Sequence, residues 1–228
     1  MTDKALARTT GALFLVSMTV SIIYTSTFAA SLEEPLASIS ANRTRMVTGA
    51  IFELINCIAV VGIAITLHMI LKRYNALLAR GYVALRVIES AILIAGVVAG
   101  LSLIELSDVR SNTNVADYAS LEAIALTVLA VKNFALQIGI LVCGLGGLIL
   151  TPMLYCLRLV PRPVAGLGLI GYVAVVTSVV LTLFGVIDTK AGSGQLFYVP
   201  GGLFEALVFP VWLIFVGYRS EHSPIEGS

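Results

Sequence analysis

Apolar residues fill six long stretches of this chain, at roughly 11–30, 47–71, 82–106, 133–157, 165–187 and 201–218, with short polar segments between them. Spanning the hydrocarbon of a bilayer takes about 20 apolar residues at ~1.5 Å of helix per residue. The pattern therefore predicts six transmembrane helices. Apolar character starts early before the fourth stretch, near Leu121, and Lys132 and Asn133 interrupt it. Residues 119–132 read as a helical extension or a re-entrant lead-in. Pro152, Pro161, Pro163, Pro200 and Pro210 mark helix ends or kinks. Pro210 falls inside the sixth stretch and predicts a bend there that frees a carbonyl near position 206. The first stretch reads as a membrane helix, since its apolar run outlasts a signal-peptide core.

Composition agrees with the pattern. The 228 residues are 58% hydrophobic and 12% charged, with a mean hydropathy of +1.00. A soluble domain carries about 25% charged residues. The expected fold is all-α: a single polytopic membrane domain over residues 1–228, built as a six-helix transmembrane bundle. Lys4, Arg8, Lys72, Arg73, Arg80, Arg158, Arg162 and Arg219 fall on one side of it, and Arg43, Arg45, Arg110 and Lys190 on the other. That asymmetry in short loops predicts both termini in the cytoplasm. The formal net charge of +1 is divided between two membrane faces, and no loop carries the basic, aromatic-interleaved patch of a nucleic-acid binder. The lipid bilayer is the expected partner.

What remains unusual is charge inside the apolar stretches. GAIFELIN at 49–56 and GGLFEAL at 201–207 share glycine, Phe, Glu and aliphatic residues in the same order. They place Glu53 and Glu205 early in two helices that enter from the same side, at predicted depths of ~9 Å and about 7 Å. Lys132 and Gln137 start the fourth helix, and Asn56 shares a face with Glu53 one turn on. These residues predict an outer polar layer of Glu53, Glu205, Lys132 and Gln137, with Asn56 reaching toward the midplane. Arg86 and Glu89, one turn apart on the third helix, predict an inner ion pair. GYVA also recurs, at 81–84 and 171–174. The two kinds of match have different offsets, so one duplication does not explain both, and they read as chance or convergent packing.

Other motifs reduce to packing. GVVAG at 96–100 and the glycines at 139, 144, 146 and 147 let helices approach closely. GLGLIG at 166–171 follows no strand and is no nucleotide fingerprint. Cys57, Cys143 and Cys156 lie singly inside helices and read as structural thiols. Only His68 and His222 occur, with no H-E-x-x-H or E-x-x-H pattern, so neither bis-histidine haem nor a motif-bound metal is expected, and no cofactor is expected. Ser193 in AGSGQ lacks a histidine base in its half of the membrane and reads as loop.

Taken in order, RTTGALFLVSM at 8–18, GAIFELINCIAVVGIAITLHMILKRYN at 49–75, GYVALRVIESAIL at 81–93, LVPRPVAGLGLIG at 159–171 and LFEALVFPVWLIFVGY at 203–218 resemble a bacterial membrane family, domain of unknown function 4386. The resemblance covers nearly the whole chain. It implies a multi-helix hydrophobic core and a bacterial cytoplasmic membrane location. Its E-L-I-N, R-V-I-E and F-E signatures fall on Glu53–Asn56, Arg86–Glu89 and Phe204–Glu205, while His68 stands where the resemblance implies an aromatic. It implies no reaction.

Ionisable groups at membrane depth cost about +2.5 to +3.5 kcal/mol each on insertion scales, so they face the bundle interior and find partners. Three classes of function fit them. The preferred one is a non-enzymatic bundle whose polar cavity binds or passes a small polar or lipid-like ligand or protons, through Glu53, Asn56, Lys132, Gln137 and Glu205. The second is an interaction or regulatory subunit, docked on another membrane protein or a second copy, with architectural ion pairs. The third is an intramembrane lipid-modifying enzyme using Glu53 or Glu205 as base.

Overall fold

A computed structural model describes residues 2–112, 117–188 and 192–218, and Lys190, Arg219 and His222 lie outside the described residues, as does the side chain of Ser193. The described residues form helices and no strands. They are α1 (Asp3–Tyr24), α2 (Leu36–Ile39), α3 (Arg43–Leu71), α4 (Ala76–Ser111), α5 (Tyr118–Cys156), α6 (Arg162–Leu183), α7 (Val199–Leu203) and α8 (Phe209–Phe215). A π-turn at Thr25–Ala29 extends α1, and another at Phe204–Val208 joins α7 to α8. Among the described residues six spans are long and apolar enough to cross a membrane: Asp3–Ala29, Leu36–Leu71, Ala76–Ser111, Tyr118–Cys156, Arg162–Leu183 and Gly194–Phe215.

Local chemistry sets several boundaries. Asn75 accepts the backbone N–H groups of Leu77 and Leu78 on Oδ1 at 3.1 and 3.0 Å, satisfying orphan donors where α4 begins. Pro161 precedes α6 with extended backbone and needs no N–H partner there. The stretch at 119–132 is helix, continuous with the rest of α5, so the re-entrant alternative does not form. α5 also continues through Pro152 to Cys156. Around Pro210 the chain widens, and the N–H of Phe209 reaches the carbonyl of Phe204 five residues back. This π-turn makes room for the Pro210 ring against the turn below it.

The chain divides into two compact units. The first comprises Met1–Leu15, Val60–Val87 and Ile140–Ser228, and the second Val16–Ala59 and Ile88–Gly139. The core of the first includes Leu6, Phe14, Leu67, Tyr82, Leu150, Leu154, Tyr172, Phe204 and Phe209. Phe204 stacks on Phe209 with ring centroids 4.9 Å apart, and Phe14 meets Phe209 edge-on at 5.4 Å. The core of the second gathers Tyr24, Phe28, Met46, Ala50, Val97 and Leu103. Within it a Cβ on Gly96 would lie 3.1 Å from that of Ala135, and one on Gly100 would lie 2.5 Å from the Phe28 ring. The small-residue pattern of GVVAG is thus a close-packing device.

The polarity of the helices is inverted relative to a soluble bundle. Ile58 is 73% exposed while Glu53, on the same helix, is 3% exposed. Apolar side chains directed outward and carboxylates directed inward suit a hydrocarbon surround. The protein is a multi-pass membrane protein.

Candidate functional site

In the second unit α3 carries Glu53 and Asn56 three residues apart on one face, and both are buried. Asn56 Nδ2 donates to Glu53 Oε1 and Oε2 at 3.4 and 3.5 Å, both long contacts. Ser17 of α1 donates through Oγ to Asn56 Oδ1 at 2.6 Å. That bond fixes which end of the amide faces Glu53. α4 adds buried Glu89 and Ser90, and α5 adds buried Lys132. Ser90 donates to the carbonyl of Cys57 at 3.4 Å, tying α4 to α3. Gln137 is half-buried, and its Oε1 is a buried acceptor without a hydrogen-bond partner among the described residues.

The first unit holds a different kind of cluster, closely bonded throughout. Arg86 of α4 reaches Glu205 Oε1 through Nη2 at 3.0 Å, with the arginine 4% and the carboxylate 30% exposed. Tyr172 of α6 donates its hydroxyl to the same oxygen at 2.5 Å. Arg86 Nε donates to Tyr82 Oη at 3.2 Å, and Nη1 donates to Cys143 Sγ at 3.1 Å. The guanidinium also lies 5.5 Å from the Tyr82 ring centroid.

Backbone proximity assembles this cluster. A Cβ on Gly171 would fall 2.5 Å from the Gly201 nitrogen, so α6 and α7 touch backbone to backbone there. The next residue on α6 is Tyr172, and Glu205 lies one turn beyond Gly201. A Cβ on Gly147 would collide with the Tyr172 ring, so the absent side chain of α5 makes the slot in which that ring sits. Phe204, fully buried, meets Tyr172 edge-on at 6.0 Å.

The expected sites are therefore distributed over two places. Glu53, Asn56, Glu89, Lys132 and Gln137 belong to the second unit, and Arg86 and Glu205 to the first. Within the first unit Glu205 is joined to Arg86 by an ion pair.

Sequence reasoning missed Ser17, Tyr82, Cys143 and Tyr172 as polar partners, because hydroxyls and thiols in apolar helices read as core. One signal pointed at two of them. The second residue of each GYVA copy is a fully buried tyrosine, Tyr82 or Tyr172, and the two hydroxyls flank the Arg86–Glu205 pair from either side. Among the described residues no three His, Cys, Asp or Glu side chains assemble a metal-ligand group.

Comparison with known proteins adds one match. The family model described as Domain of unknown function (DUF4386) matches residues 9–217. No curated protein and no solved structure matches the chain. The chain belongs to the DUF4386 family.

Proposed function

We propose that this member of the DUF4386 family is a non-enzymatic protein of a bacterial cytoplasmic membrane, with both termini inside, whose second unit binds or passes a small ligand at a polar cluster centred on Glu53. Asn56, Lys132 and Gln137 complete the docking set. The observation that supports this reading is the contrast between two glutamates in one chain. Glu205 has what an architectural carboxylate needs at depth, a guanidinium at 3.0 Å and a phenol at 2.5 Å on one oxygen. Glu53 is more deeply buried, and its contacts are two long ones from a single amide. A carboxylate so sparsely hydrogen-bonded inside a membrane bundle is suited to bind a ligand, because its desolvation is only partly repaid. Gln137 Oε1 supplies a second acceptor in the same condition.

The test is native mass spectrometry of the protein released from its own membranes, wild type beside Glu53→Gln. A defined adduct on the wild type that disappears from the variant supports a ligand site. If neither form carries an adduct and both co-purify with a second membrane protein, the ligand reading fails in favour of an interaction subunit.

A further inference from the structure

The basic residues near the span ends are treated differently in the two units. In the second, Arg43 meets Glu105 and Asp108 at 3.0 and 2.6 Å, and Arg110 meets Glu122 at 3.0 Å. Arg45 donates to the carbonyl of Ser26 at 2.6 Å. In the first, Asp3 takes Arg73 at 2.9 Å. Lys4, Arg8, Lys72, Arg80, Arg158 and Arg162 are exposed there, and none has an ion-pair partner among the described residues.

The fold gathers these six cations at one end of the unit. The Asp3–Arg73 pair ties the start of α1 to the short turn between α3 and α4. A Cβ on Gly81 would lie 3.7 Å from Ile149, so the first turns of α4 run beside the last turns of α5. The connection from α5 to α6 is pinned by Leu159 and Val160, both buried in the core. Arg158 and Arg162 stand exposed at its two ends, the former held at a φ of 52° that residues other than glycine rarely adopt. Membrane spans begin or end here at Asp3, Leu71, Ala76, Cys156 and Arg162, so the cations lie at headgroup depth. Exposed among them are Tyr74, Leu77, Leu78 and Tyr155, with the Arg162 guanidinium 5.7 Å from the Tyr155 ring centroid.

We infer that this end of the first unit is a docking surface for anionic phospholipids. Their phosphates supply the counter-charge that the chain provides to Arg43 and Arg110 but not to these six side chains, and a guanidinium fork matches a phosphate in shape. Their acyl chains cover the exposed leucines and tyrosines in between. Only a lipid brings a negative head and an apolar tail together at this depth; a free phosphate or an acidic soluble segment would satisfy the charges and leave the apolar residues bare. The surface is independent of the cluster at Glu53.

Native mass spectrometry of the full chain in detergent reads the preference directly, with phosphatidylglycerol and phosphatidylethanolamine of identical acyl chains added together. Each basic side chain near an anionic headgroup adds about five-fold to binding, so phosphatidylglycerol should be retained about ten-fold or more over phosphatidylethanolamine. Arg158→Gln/Arg162→Gln should cut that preference by about five-fold or more. Arg43→Gln, which removes a cation already paired, should leave it unchanged. If the loop variant is not recovered folded, Lys72→Gln/Arg80→Gln tests the same surface on helices α3 and α4. Equal retention of the two lipids overturns the proposal, and so does a preference that both double variants leave intact. A preference that Arg43→Gln lowers as far as the double variants do reports net charge alone and also overturns it. Loss of the preference on adding an equal concentration of inorganic phosphate reassigns the surface to a free anion. No lipid preference together with binding of a polyglutamate peptide reassigns it to an acidic protein segment.

Discussion

Arg86 and Glu205, 119 residues apart in sequence, are joined by a 3.0 Å ion pair that connects α4 to the turn between α7 and α8. The arginine is spread over several partners, among them Tyr82 at Nε, Cys143 at Nη1 and Glu205 at Nη2. That fork is a property of guanidinium geometry which an ammonium does not reproduce. Arg86→Lys should therefore lower stability by about 2 kcal/mol even though the charge remains. Thermal unfolding in detergent, followed by circular dichroism, checks it. An unchanged midpoint would mean that charge alone holds the helices together.

Tyr172 contributes a ring and a hydroxyl, and the two can be separated. Tyr172→Phe keeps the ring in the slot opened by Gly147 but removes the donor to Glu205 Oε1. Hydrogen bonds to charged groups contribute roughly 1.5–3 kcal/mol, so the variant should lose stability in that range. Gly147→Ala, which strikes the ring itself, should cost about 1–3 kcal/mol by overpacking. Equal effects from Tyr172→Phe and Tyr172→Ala would show that only the hydroxyl matters.

The α6–α7 contact sets the register of the whole cluster. At Gly171 the atoms met by an added methyl are backbone atoms of Gly201, which no rotamer change relieves. At Gly166, on the same helix, an added methyl meets nothing within 4 Å. Gly171→Ala should destabilise by at least about 2 kcal/mol, and Gly166→Ala should be neutral or slightly stabilising through helix propensity. Comparable melting temperatures for the two variants would contradict the backbone contact.

Class and architecture were legible in the sequence because hydropathy over twenty residues carries a membrane span whatever its packing. The predicted centres of all six spans fall within the spans of the structure. Boundaries were less legible, since polar residues such as Arg43 and Ser111 cost little in a helix that ends near the interface. Around Glu205 the sequence marked the bend at Pro210 but neither the 3-10 segment ahead of α7 nor the backbone contact of Gly171 with Gly201, because both are set by tertiary packing. Glu53 and Asn56 were legible as a pair because i, i+3 spacing is a property of the helix itself. Ser17 was not, because one hydroxyl on an apolar helix looks the same whether it meets lipid or an amide.

The central claim is that Glu205 holds the bundle together while Glu53 is a site, and one comparison of melting temperatures at neutral pH tests it. Glu205→Gln strands the buried Arg86 guanidinium and should cost about 3 kcal/mol or more, roughly a 6–12 °C drop for a chain of this size. Glu53→Gln replaces the sparsely bonded carboxyl by a neutral amide of the same shape and should leave the midpoint within about 2 °C. If Glu53→Gln falls as far as Glu205→Gln, both glutamates are architectural, and the binding site proposed for Glu53 does not exist.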